Sequence, residues 1–216
     1  MKNPDHIPVH IVTGLFGSGK TTLIERWAAE VAGRRFIFIV NEFSAVDVDS
    51  SALAKHGAET FAMPGSDIFG GWPVEIEEVL RQIVAWEELS EHAEEPAVEG
   101  IVVESGGMAD PRGFTRMLTQ THLAAWFKVA RVVVLVNPTP LVRGQNNIPN
   151  KFQMMSFLPN VRAQVEAASV VLLNKVDLCS EFELGKVEAR VRRINPDVEI
   201  LRCQNAEHEG VRLSKP

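Results

Sequence analysis

Between Val9 and Leu23 the chain reads V-H-I-V-T-G-L-F-G-S-G-K-T-T-L, and here its chemistry is written most plainly. Gly14, Gly19, Lys20 and Thr21 satisfy the spacing G-x-x-x-x-G-K-[ST], and Gly17 adds a permissive backbone position inside the loop. A triphosphate needs many donors at close range. Glycines let successive backbone N–H groups turn inward without Cβ obstruction, so Gly14, Gly17, Ser18, Gly19, Lys20, Thr21 and Thr22 form a candidate nucleotide-binding set. Lys20 would reach the β and γ phosphates as a compact charge, and the Thr21 hydroxyl would ligate a Mg2+ that bridges the same oxygens.

The elements that must hold such a loop surround it. An apolar, β-branched run, Ile7 to Val12, precedes it and a helical pattern, Thr22 to Ala32, follows, which is the strand–loop–helix setting the motif requires. Phe36 to Val40 is apolar at every position, as in a strand covered on both faces. It leads into N-E-F-S-A-V-D-V-D (Asn41 to Asp49), where a nucleotide-sensing loop would fall. Glu42 is the leading candidate there for a Mg2+ or water contact, whereas Asp47 and Asp49 read more simply as solvated carboxylates. A short apolar patch, Glu59 to Met63, is followed by a turn-rich stretch ending at Pro73, a good first helical residue. Ile76, Val79, Leu80 and Ile83 then give the buried face of a helix. The glutamates between Glu87 and Glu99, with His92 among them, read as a solvated helix end, because nothing makes them converge on a metal.

Gly100 to Glu104 is a third buried strand, ending in a carboxylate and followed by S-G-G-M-A-D-P. Glu104 is placed to hold Mg2+ directly or through water, and the Gly107 N–H to sense the γ-phosphate; with Lys20 they are the candidate catalytic groups. Pro111 opens another helix, Arg131 to Val136 is a fourth strand, and Asn137 to Asn150 reads as an exposed loop. Phe152, Met154, Met155, Phe157 and Leu158, near Pro159, read as the core face of a helix. Next comes V-V-L-L-N-K-V-D, Val170 to Asp177. Asp177 can accept hydrogen bonds from the N1–H and exocyclic amine of guanine, which adenine cannot offer, so the motif selects GTP. Asn174 would brace the loops and the Lys175 stem would cover the base. A charged helix, Glu181 to Ile194, and a last strand, Val198 to Arg202, complete an α/β, doubly wound, mostly parallel sheet of the P-loop NTPase type, with its ligand at the strand C-terminal ends.

With 216 residues and 45% hydrophobic content, residues 1–216 are expected to form a single P-loop domain. A net charge of −6 without a basic run excludes a nucleic-acid footprint. No apolar run approaches the ~20 residues of a membrane span, and M-K-N-P-D-H lacks a signal-peptide core, so a cytoplasmic protein is expected. Cys179 and Cys203 make neither metal spacing nor a disulfide framework and read as reduced thiols.

On V-T-G-L-F-G-S-G-K-T-T-L, N-E-F at 41–43, E-S-G-G-M-A-D-P at 104–111, L-L-N-K-V-D-L at 172–178 and I-N-P-D-V-E-I-L at 194–201, the sequence resembles the CobW/HypB/UreG P-loop GTPases, and most closely their CobW-like branch. Glu104 and Gly107 match the E-x-x-G hallmark. The resemblance implies a slow GTPase that converts GTP to GDP and phosphate. It also implies nucleotide-driven changes, often in a homodimer, that deliver a metal or help mature a metalloenzyme or cobalamin-dependent enzyme. The chain departs from the pattern in places. P-G-S-D-I-F-G-G stands where CobW-like members carry C-x-C-C, Ser44 replaces a glycine, and Val40 and Ala45 stand where acidic residues flank N-E-F-G. Asn137 and Ser169 also differ, and a nucleotide-binding domain without the C-terminal domain of CobW-like proteins is expected. The absent C-x-C-C and the changes around N-E-F imply loss of the transition-metal site. The leading expectation is therefore a GTPase acting as an assembly or activation factor for a client enzyme. The alternatives are a metallochaperone delivering Zn, Ni or Co, and a non-catalytic nucleotide-binding regulator. No side chain declares itself as catalytic base; Arg112, Arg116 and Arg143 are candidate arginine fingers.

Overall fold

The computed structural model describes residues 6–41, 53, 55–63, 74–90, 97–107, 109–142 and 151–213. In chain order these form β1 (Ile7–Thr13), α1 (Lys20–Glu30), β2 (Phe36–Asn41), β3 (Glu59–Met63), α2 (Val74–Ser90), β4 (Gly100–Glu104), α3 (Pro111–Gln120), β5 (Phe127–Val136), α4 (Lys151–Ala167), β6 (Val170–Leu173), α5 (Glu181–Ile194) and β7 (Glu199–Arg202). The strands build one seven-stranded sheet in the order β3-β2-β4-β1-β5-β6-β7. Every pairing is parallel.

Strict alternation along the strands divides the core in two. Phe36, Phe38 and Val40 of β2 point to the face covered by α1, where Leu23, Ile24 and Trp27 meet Val102, Val133, Leu135 and the segment from Cys203 to Leu213. Ile37 and Ile39 point the other way, to join Ile11, Val103, Val134 and the apolar faces of α2, α3, α4 and α5. Both faces are thus buried, which is why the central strands read as unbroken apolar runs. β1 lies at the centre, and strands are added to both sides of it, so the loop after β1 falls where an open sheet of this type holds its ligand.

Several bounds differ from the sequence reading, each for a local reason. Helix α1 starts at Lys20, two residues before the periodic pattern, because Gly19 itself is the left-handed N-cap. It ends at Glu30, where Val31 is the C-cap and Gly33 takes φ +81°. β5 begins at Phe127; its first residues pair with β1 alone, since β6 joins only from Val133, and exposed Lys128 and Ala130 are tolerated on that half-open stretch. The apolar patch Glu59–Met63 is a strand at the sheet edge. Pro159 stands inside α4. A proline there removes one i→i−4 bond, and the following turn, with Ala163, Gln164 and Val165 buried, docks onto the sheet. Asn137 to Asn150 is not all loop. The Asn137 Oδ1 accepts from the Thr139 N–H at 3.0 Å and starts a helical turn, Thr139–Val142. The Ser169 hydroxyl accepts from the Val132 N–H at 3.0 Å, so this departure from the family pattern supports the start of β6. Pro73, Glu42, Asp47, Asp49, His92 and Arg143, and the side chains of Phe152 to Leu158, lie outside the described residues.

Candidate functional site

The loop after β1 is bent by its glycines. Gly14, Gly17 and Gly19 all have positive φ, +137°, +70° and +106°. At two of them the fit is also steric: a Cβ on Gly14 would fall on the Leu135 carbonyl, and one on Gly19 on the Asn174 amide. Gly17 has open space around it and needs glycine only for its backbone angle. The N-terminus of α1 has no side-chain cap and no acidic residue in its first turn, so its N–H groups and partial positive charge are open to an anion. Thr21 and Thr22 are half-buried in that turn. Among the described residues the Ser18 hydroxyl, though buried, has no hydrogen-bond partner, and neither has that of Thr13. A pre-bent cradle and an unsatisfied buried hydroxyl both fit a phosphate group.

Lys20 folds back over this loop. Its Nζ donates to the Gly14 carbonyl at 2.9 Å and lies 5.8 Å from the Phe16 ring. Burial holds its pKa below the ordinary lysine value, and the nearby Glu104 carboxylate acts in the opposite sense. Glu104 is brought there by register: it pairs with Val12 at the end of β1, and the Ser105 N–H donates to the Val12 carbonyl at 2.9 Å. Lys20, Thr21 and Glu104 therefore meet at one end of adjacent parallel strands. Gly107 follows, packed so closely on Phe16 that a Cβ would lie 3.2 Å from its backbone nitrogen and 3.3 Å from its ring. Thr21 and Glu104 supply the described oxygens that could hold a divalent cation; elsewhere among the described residues no cluster of three or more His, Cys, Asp or Glu could do so.

The second motif reaches the same loop from the other side. Asn174 is 2% exposed; its Nδ2 donates to the Ser18 carbonyl at 2.8 Å, while its Oδ1 accepts from the Ala206 N–H at 2.9 Å and faces the Cys203 thiol at 3.5 Å. Lys175 then adopts a left-handed conformation, φ +64°, which swings the 3₁₀ turn Val176–Leu178 outward. Asp177 is exposed there and makes no hydrogen bond or ion pair with a described residue, leaving its carboxylate oxygens available to a ligand.

Two sets of residues in this arrangement escape sequence reasoning. The segment Cys203–Ala206 follows β7 and closes on Asn174; Asn205 and Ala206 both have positive φ, and Arg26 Nε grips the Asn205 carbonyl at 2.8 Å. Burial pushes the Cys203 thiol up to about 11, so it stays protonated and able to donate. Both cysteines are free, as expected. Gln164 is the other: buried on α4, it donates through Nε2 to the Gly107 and Ala109 carbonyls, each at 3.2 Å, and so fastens the loop after Glu104. The only signal for it in the sequence is an amide between the apolar residues Ala163 and Val165. Of the arginine candidates, Arg112 is held by Asp110 at 2.7 Å and Glu166 at 3.0 Å at the start of α3, and Arg116 is exposed.

Comparison with known proteins agrees with this geometry. Residues 8–202 match the family model described as CobW/HypB/UreG, nucleotide-binding domain. The "Zinc-regulated GTPase metalloprotein activator 1" of Dictyostelium discoideum is 26% identical over 94% of this chain and 46% of its own. The "Zinc chaperone CobW" of Pseudomonas aeruginosa is 24% identical over 88% and 54%. Among solved structures, the Zn(II)-bound YjiA GTPase from E. coli superposes with a TM-score of 0.64 at 26% identity, over 91% of this chain and 57% of that one. The chain spans about half the length of the curated relatives it matches. With the loop after β1, the strand-end Glu104 and the turn carrying Asp177 all lying at the C-terminal ends of parallel strands, and with that match over nearly its whole length, the chain belongs to the CobW/HypB/UreG family through its nucleotide-binding domain.

Proposed function

We propose that the chain binds GTP and hydrolyses it to GDP and phosphate, slowly when alone, and acts as an assembly or activation factor for a metalloenzyme or cobalamin-dependent enzyme. The observation that carries this reading is the Asn174 amide, which ties the phosphate loop at Ser18 to the turn bearing Asp177 and so sets a phosphate cradle and a guanine-type acceptor at a fixed separation. Gly14, Gly17, Ser18, Gly19 and Thr22 would surround the phosphates with N–H and hydroxyl donors. Lys20 would exchange its carbonyl partner Gly14 for phosphate oxygens, and Asp177 would accept from guanine while Lys175 covers the ring. Thr21 and Glu104 are the residues that would hold Mg2+, with Glu42 a further candidate. When bound, that ion supplies positive charge to the β and γ oxygens. Gly107, fastened by Gln164, would offer its N–H to the γ-phosphate and relax on its loss.

The names of the relatives favour a second reading, delivery of zinc or another transition metal. This chain has no C-x-C-C, and its described residues hold no three-ligand cluster, so activation of a client is placed first. A nucleotide-dependent homodimer and a cytoplasmic location belong to the same proposal; among the described residues no helix is long and apolar enough to cross a membrane. Multiple-turnover hydrolysis of GTP and ATP with Mg2+, with the Lys20→Ala protein as blank, tests the reading. Turnover of GTP alone, lost in Lys20→Ala, is expected. Equal use of ATP would overturn the role given to Asp177, and stoichiometric zinc retention through chelation would move metal delivery to first place.

A further inference from the structure

Helix α5 sorts its charges by flank. Leu184, Val187 and Val191 are buried against the sheet. Glu181 and Glu188 both bond Arg202 of β7, at 2.7 and 2.6 Å. Phe182, Lys186, Arg190 and Arg193, spaced i, i+4, i+8 and i+11, form a separate stripe on another flank. Lys186, Arg190 and Arg193, with Leu141 from the helical turn after β5, line a cleft of about 400 Å³ whose described lining includes no carboxylate. None of the three cations forms an ion pair with a described residue. The Lys186 Nζ instead lies 4.1 Å over the ring of Phe182, which is 73% exposed.

An ordinary solvated helix face needs neither an exposed phenylalanine nor a groove, and on a chain of net charge −6 this gathering of uncompensated cations stands out. Arginine and an aromatic side by side are what the centres of protein interfaces are enriched in. We infer that this cleft docks an acidic segment of a partner protein, its carboxylates along Lys186, Arg190 and Arg193 and an apolar side chain against Phe182. A second copy of the chain fits less well. Its own glutamate-rich stretch, Glu87 to Glu99, begins at the end of α2, which packs on β3 at the opposite edge of the sheet, so copies would join head to tail without closing a pair. Nucleic acid fits less well still, given the net negative charge.

The position of the cleft gives the docking a consequence. One wall, the turn Thr139–Val142, is tied at Thr139 Oγ1 to Cys179 Sγ, 3.7 Å away, and the other wall, α5, begins at Glu181. The turn is thus joined to the residues just after Asp177, and α5 leads from them to Lys186, Arg190 and Arg193, so a seated partner touches two elements that connect directly to the candidate base-binding turn.

The test is fluorescence anisotropy of a fluorescein-labelled helical peptide carrying glutamates and leucines along one face, titrated with the full chain, beside a counterpart in which glutamine replaces every glutamate. The acidic peptide should bind, its affinity should fall as salt rises, and the glutamine peptide should bind at least about tenfold more weakly. Combining Lys186→Glu, Arg190→Glu and Arg193→Glu should cost about tenfold or more, and Phe182→Ala about threefold, with GTP binding and thermal midpoint unchanged as evidence of an intact fold. The proposal is overturned if the two peptides bind alike or not at all, if charge reversal leaves binding unaltered, if a duplex oligonucleotide competes better than the acidic peptide, or if the peptide displaces a second copy of the chain from the same face.

Discussion

Replacing Asn174 by alanine is the sharpest perturbation of the site. The side chain is almost fully buried, and two backbone groups depend on it, the Ser18 carbonyl and the Ala206 N–H. Alanine leaves both without their partner, at about 1–3 kcal/mol for each buried group so orphaned. Water entering from the open ligand side should recover part of this, so we expect a loss of about 2–4 kcal/mol in urea unfolding of the nucleotide-free chain. That is a large fraction of the stability of an ordinary domain. Because the same amide fixes the phosphate loop relative to the Asp177 turn, GDP affinity should drop at least about tenfold as well, read by displacement of a fluorescent guanine nucleotide. Asn174→Asp separates the two halves of the effect: it keeps an acceptor for Ala206 but faces the Ser18 carbonyl with a carboxylate oxygen, and should be no better than alanine for GDP. If Asn174→Ala unfolds within about 0.5 kcal/mol of the parent and holds GDP equally well, the bridge is incidental and the argument from it fails.

Three further outcomes follow from the same contacts. Gly17→Ala, with open space around the position, should lose only the left-handed penalty of about 1–2 kcal/mol, whereas Gly19→Ala must displace Asn174 and should abolish nucleotide binding; equal behaviour in a binding assay would refute the steric account. Gln164→Leu frees the Gly107 and Ala109 carbonyls, so GTP turnover should fall several-fold while GDP affinity stays within about twofold; loss of both would make Gln164 merely structural. His10 is buried against Trp27, and burial first, then the Arg131 charge, lowers its pKa from 6.5 to about 4. The unfolded chain therefore takes up the proton more readily. The stability that neutral His10 contributes is complete above the unfolded pKa and is lost as pH falls towards 4, about 3 kcal/mol in all, so urea midpoints of the parent should fall more steeply between pH 7 and 4.5 than those of His10→Leu.

The two motifs were legible because each packs its chemistry into a short run. G-x-x-x-x-G-K-T needs one turn and one helix start, and N-K-V-D needs one strand end, so their spacing survives in one dimension. Glu104 was legible for a related reason: a carboxylate ending an apolar run in a parallel sheet must lie near the ends of its neighbours. The rest depends on approach from far along the chain. Gln164 meets Gly107 and Cys203 meets Asn174 only after α4 and β7 have docked, and a single glutamine or cysteine among mixed neighbours carries no spacing to read. β3 was legible only as an apolar patch because an edge strand with Glu59 and Ala62 exposed lacks the unbroken apolar signature of its neighbours.

The contacts divide the site into two blocks with different supports. One comprises the phosphate loop, Asn174 and Cys203–Ala206, locked together by the buried amide and by Arg26 from α1. The other is the run from Glu104 to Ala109, held by Gln164 from α4 on the opposite face of the sheet. Among the described residues they meet where Lys20 feels the Glu104 charge and where Phe16 lies against Gly107. Under the proposed function, a preformed first block would hold GDP whatever the second block does, while sensing the γ-phosphate would require the second to shift against the first. Binding and switching should therefore be separable by mutation, with Asn174 acting on the one and Gln164 on the other.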